Sequence, residues 1–179
     1  VLFGLIRGPV GRIFLVGFTL LAFQTTVFAD LRFAGVALQV LMTFVAVVAV
    51  VGGPEKGMMA AVICGVMFDM AAGSDLGSSA LTMGAAALFA GMVAFINIEQ
   101  QWWISAIFVG LGVAAGEAAL PFVRAITGEE LFGVADLWKS VPIVALGAVV
   151  MGPLLLPVAR WALAISKAEW RVPESSTIR

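Results

Sequence analysis

An all-α integral membrane protein, with about six transmembrane helices in one bundle, is the fold this sequence predicts. Three observations lead there. The 179 residues are 62% hydrophobic and only 12% charged, against roughly 25% charged in ordinary soluble domains. Mean hydropathy is +1.11, which leaves too little polar surface to cover a water-soluble globule of this size. Apolar runs recur at lengths near the ~20 residues a helix needs to cross a bilayer, separated by short polar or glycine-rich turns.

The first run, Ile13 to Phe28, follows Arg7 and Arg12. It ends on Val27-Phe28-Ala29, in the manner of a secretory signal. The run is longer than a signal's apolar core and five more follow it, so it is read as a retained helix. The second, Phe33 to Val51, closes on Gly52-Gly53-Pro54. There Pro54 suits the first position of the next helix, and Glu55 in its first turn favours the helix dipole. The third is Gly57 to Ala72, and the turn Ser74-Asp75 leads to the fourth, Ser78 to Ile96. The fifth is Trp102 to Phe122. The sixth, Val141 to Ala164, carries Pro142, Gly152, Pro153 and Pro157 and is expected to kink near Gly152.

Residues 1–165 thus form one membrane domain, and 166–179 a polar tail. Between the fifth and sixth runs lies the longest loop, Arg124 to Ser140. It holds Gly128-Glu129-Glu130 and the amphipathic stretch Leu131 to Trp138, which reads as an interfacial helix or a partner contact.

Basic residues set the orientation. With the N-terminus in the cytoplasm, Arg7, Arg12, Lys56, Arg160, Lys167, Arg171 and Arg179 lie inside, and Arg32, Arg124 and Lys139 outside. The expected arrangement is a multi-pass membrane protein with both termini cytoplasmic. Trp102, Trp103, Trp138, Trp161 and Trp170 fall near the interfaces, as an aromatic belt would.

The same composition removes whole classes of chemistry. These residues include no histidine and a single cysteine, Cys64. A disulfide within the chain, a His/Cys zinc site, a Ser-His triad and a Cys-His pair are all excluded. The glycines form neither a phosphate loop nor a dinucleotide fingerprint. No basic run supports nucleic-acid binding, and no cofactor is implied.

Two features stand out. Gly57, Ala61, Gly65, Asp69, Gly73 and Gly77 fall at every fourth position, and apolar residues fill most of the gaps. On a helix this makes a flat stripe where another backbone can approach closely. Gly112 and Gly116 repeat the pattern in the fifth run. The stripes are candidate surfaces for a partner or for helix packing.

The second feature is a pair of intramembrane carboxylates, Asp69 and Glu117, which with Gln24 form a candidate intramembrane polar site. Asp69 is either a ligand, ion or partner contact, or a lock bonded to a nearby loop amide or hydroxyl such as Ser78 or Ser79. Glu117 points into the bundle, towards Gln24 or Gln39, or pairs with Arg124 two turns along its own helix.

The runs Gly53-Pro54-Glu55-Lys56-Gly57, Gly65-Val66-Met67-Phe68-Asp69 and Leu76-Gly77-Ser78-Ser79-Ala80-Leu81 resemble the signature of the rod shape-determining protein MreD family. Gln24 near the end of the first span and a proline-bearing last span also fit. The resemblance covers most of the chain, and its specific part is about thirty residues. It implies a non-enzymatic membrane subunit of the cell-elongation complex in the bacterial inner membrane that binds the bitopic protein MreC and supports peptidoglycan synthesis.

It also implies a fold similar to the six-helix substrate-binding subunits of energy-coupling-factor transporters. Those subunits usually carry an Ala-xxx-Ala pair in span one, and Ile13 to Phe23 has none. A vitamin-type transporter subunit, with Asp69 and Glu117 in an outward pocket, is the competing expectation.

Overall fold

The structure, a computed structural model, describes residues 8–26, 32–33, 36–95, 102–127 and 134–164. The described residues are helical apart from turns and one small ladder. The helices are α1 (Pro9–Thr26), α2 (Val40–Gly52), α3 (Pro54–Ala72), α4 (Ser78–Gly91), α5 (Trp102–Thr127) and α6 (Val134–Leu163). A 3-10 turn, Met92–Phe95, extends α4. Four segments are long and apolar enough to cross a membrane: Pro9–Thr26, Ser78–Phe95, Trp102–Ile126 and Leu137–Leu163.

The expected second span is shorter than the sequence suggested. Where a helix from Phe33 was predicted, Arg32–Phe33 and Val36–Ala37 pair as two-residue antiparallel strands β1 and β2. The helix proper starts at Val40 and has 13 residues, a rise of roughly 20 Å. Its reduced length goes with its position. Every residue from Val40 to Val50 is at most 2% exposed, and α2 touches all five other helices. A helix apolar on all sides is buried on all sides, so α2 is the axis of the bundle and the others surround it.

The α2–α3 connection follows from its residues. Gly53 takes a left-handed φ of 86°, which favours glycine, and Pro54 opens α3 with Glu55 in the first turn. At the far end, α3 stops at Ala72, and Gly73 adopts φ 67°. Gly77, at φ 100°, precedes α4. The four-residue stripe is therefore helical only as far as Asp69. Gly73 and Gly77 lie beyond it as turn residues, because left-handed backbone strains any side chain with a Cβ.

The predicted long loop is mostly helix. Instead of ending at Phe122, α5 continues through Pro121 to Thr127. Val134 to Trp138 form the first turns of α6 rather than a separate interfacial helix. The helix is continuous from Val134 to Leu163 and carries Pro142, Pro153 and Pro157 inside it. Glu129, Glu130, Leu131 to Gly133, Ile96 and the tail 166–179 lie outside the described residues.

Small residues bring the helices together. A Cβ added at Gly65 would fall on the backbone N and Cα of Ala80 in α4, and one at Gly57 on Ala49 of α2. At Gly112 it would come within 2.6 Å of the Ala86 carbonyl oxygen, and at Gly116 within 2.8 Å of that of Thr82. Ala61 is fully buried as well. The stripes predicted from spacing are thus filled by the chain's own helices. Close backbone approach of this kind is the main source of packing energy where lipid is as apolar as the side chains.

Candidate functional site

The polar residues singled out in the sequence meet at one end of the bundle. Here α1, α3 and α5 finish and α2, α4 and α6 begin; on the predicted orientation this end faces outward. Each starting helix leaves backbone N–H groups with no partner of its own kind. Neither α2 nor α4 has a capping side chain at its own N-cap position, where Gln39 and Gly77 stand. Both helices take the cap from the helix before them.

For α4 the donor of that cap is Asp69, which is 0% exposed. Its Oδ1 accepts from the Ser79 amide at 3.1 Å, and its Oδ2 from the Gly77 amide at 2.7 Å. The hydroxyls of Ser74 (3.0 Å) and Ser78 (3.3 Å) donate to Oδ1. Its own carbonyl oxygen accepts from the amides of Gly73 and Ser74, which closes α3. One residue thus ends one helix with its main chain and starts the next with its side chain. Four donors around a buried carboxylate satisfy most of its acceptor capacity, and this arrangement corresponds to the lock reading of Asp69.

For α2 the cap is Gln24, near the end of α1. Its Oε1 accepts from the Leu41 amide at 2.9 Å, the second residue of α2 and the same position that Ser79 occupies in α4. Gln39 keeps its backbone oxygen for Thr43, whose hydroxyl donates to it at 2.8 Å. Its side chain turns to α5, where Nε2 donates to Oε2 of Glu117 at 2.6 Å. Glu117, 6% exposed, therefore has Gln39 as its partner, and Gln24 serves elsewhere. Ser140 of α6 also bonds Glu117, and Arg124 acts on it electrostatically.

Between these two sets of bonds lies a cavity of about 400 Å³. Gln24, Gln39, Glu117, Thr82, Ser74, Ser78, Ser79 and Arg124 contribute its polar wall, and Met42, Phe68, Leu120 and Val123 are among its apolar lining. Asp69 is absent from that lining, because its oxygens face the turn. The candidate polar site of the sequence therefore divides. Gln24 and Glu117 face the cavity, and Asp69 does not.

Sequence reasoning named Gln39 as a possible partner of Glu117, which the structure shows, and missed the share of Thr82 and Ser74 in this region. Their signal was faint: single polar residues at the ends of apolar runs. Among the described residues no three metal-ligating side chains converge.

At the opposite end Arg12 of α1 donates to the Trp161 carbonyl oxygen of α6 at 3.0 Å. Its guanidinium stands 5.3 Å from the centre of the Trp161 ring, within the range of a cation–π contact. Compared with known protein families, curated proteins and solved structures, the chain matches none.

Proposed function

We propose that this protein is a non-enzymatic, six-span subunit of a bacterial cell-elongation complex, in keeping with its resemblance to the MreD family. It binds a bitopic, coiled-coil partner of the MreC kind and supports lateral wall synthesis from the inner membrane. One observation carries this reading. The residues that bear the resemblance, Gly65, Asp69, Gly77, Ser78 and Ser79, form a single interhelical joint in which the only charge is consumed by four internal donors. A motif spent on holding two helices in register suits a protein whose shape is its activity.

The glycine faces of α3 and α5 are occupied within the bundle. A partner helix must therefore use the outward apolar faces, such as that of α1, where only Ile13, Gly17 and Leu21 are buried. The test is a pull-down of the tagged full chain from its own membranes in mild detergent, with mass-spectrometric identification of what co-purifies. A single-span coiled-coil protein is the expected capture. Transporter ATPase subunits in its place would overturn the reading.

A further inference from the structure

The cavity beside Glu117 is not used by the scaffold reading, and its chemistry points to an occupant. Its volume of about 400 Å³ falls in the range of roughly 300–1,000 Å³ typical of small-molecule sites. Such sites are mostly apolar with a few convergent polar groups, and this wall has that composition. Two of its polar groups are amides with one end already committed. Gln24 uses Oε1 on the Leu41 amide, and Gln39 uses Nε2 on Glu117. Among the described residues, the other end of each, Nε2 of Gln24 and Oε1 of Gln39, meets no partner.

Glu117 brings a nearly fully buried carboxylate into the same wall. A carboxylate in an apolar span is costly unless donors surround it. Asp69, 48 positions earlier in the sequence, shows how completely this chain can satisfy one when the group serves architecture alone.

We propose that this cavity binds a small amphipathic molecule. Its head donates N–H or O–H groups to Glu117 and to Oε1 of Gln39, and its body packs on Met42, Phe68 and Leu120. The required chemistry is a donor-bearing head, an ammonium, amide or hydroxyl, on an apolar body. A phospholipid headgroup and a free metabolite both offer it. The site does not rest on the scaffold reading, although Ser74, Ser78 and Ser79 of the Asp69 joint share its wall.

The experiment compares wild type with Leu120→Trp and Ala72→Phe, each of which places a larger side chain on the cavity wall. The full chains are released from their membranes in mild detergent and examined by native mass spectrometry. Delipidated protein is then titrated with phosphatidylethanolamine and with phosphatidylglycerol. Wild type is expected to carry a non-covalent adduct whose occupancy falls at least tenfold in whichever variant melts cooperatively. An adduct of phospholipid mass, restored by one of the two lipids, identifies a headgroup as the source; any other mass identifies a metabolite.

Equal adducts on wild type and a folded filled variant would overturn the proposal. So would wild type with neither an adduct nor saturable binding of either lipid. Partner capture by the filled variants is expected to be unchanged, which separates failure of this site from failure of the scaffold reading.

Discussion

The α1–α2 and α3–α4 hairpins solve one problem in two ways. In both, the second helix begins with no side-chain cap of its own, and a residue near the end of the first helix reaches across to its second amide. Gln24 does this over 17 positions to Leu41, and Asp69 over 10 positions to Ser79. The neutral amide makes one such bond and turns its remaining capacity to a cavity. The carboxylate gathers four donors and keeps its own oxygens out of the cavity, although Ser74, Ser78 and Ser79 of its joint line it. A charge in an apolar span is held only where donors enclose it, whereas an amide can remain half-used. Both hairpins line the cavity, but one spends its polar group wholly on the joint and the other turns part of it to the chamber.

The largest test of this contrast removes the closeness on which the α3–α4 joint depends. Gly65→Leu would drive a side chain into the backbone of Ala80, which cannot rotate aside. Overpacking costs typically ~1–3 kcal/mol where side chains can yield, so a loss of more than about 3 kcal/mol is expected. It would be seen as loss of the monodisperse peak in detergent size-exclusion chromatography. A variant that stays monodisperse and melts like wild type would mean the α3–α4 approach is looser than described.

Next comes Asp69→Asn. Every partner of this side chain is a donor, so the new amide must turn at least one N–H towards another donor. A cost of about 1–3 kcal/mol is expected, the penalty of an unmet buried polar group, read as a lowered midpoint in chemical denaturation. Gln24→Leu removes a single cap from α2 and should cost about 1 kcal/mol, with faster amide exchange confined to the first turn of α2.

The smallest effect is expected for Glu117→Gln. Its Oε1 can still accept from Nε2 of Gln39, so stability should change by less than about 1 kcal/mol. The comparison between hairpins turns on the inequality between the two isosteric changes. If Glu117→Gln destabilises as much as Asp69→Asn, the two carboxylates are equally structural and the contrast fails.

How much of this could be read beforehand depended on range. Gly53-Pro54-Glu55 declared its turn because glycine and proline restrict φ locally. A bond from Asp69 to Ser78 or Ser79 could be anticipated because a short turn leaves a carboxylate few other donors to reach. The cap from Gln24 could not, since its partner lies across a connection that the sequence did not resolve into strands and helix. Nor could the central place of α2. A run such as Val45 to Val51 is apolar on every side, and periodicity does not say whether lipid or protein surrounds it. Position 164 was likewise unmarked: Ala164 ends α6 at φ 55°, a conformation in which glycine would be expected.

The bond between Arg12 and Trp161 has a consequence for the order of synthesis. Its two ends are 149 positions apart, so α1 is synthesised long before the carbonyl that its guanidinium meets. Until then α1 is a helix with an unfastened end. Completion of α6 is what allows the chain to close on itself. A truncation before Trp161 would remove more than part of a helix: it would leave α1 unlatched as well, and the quality-control proteases of the membrane would meet an open bundle.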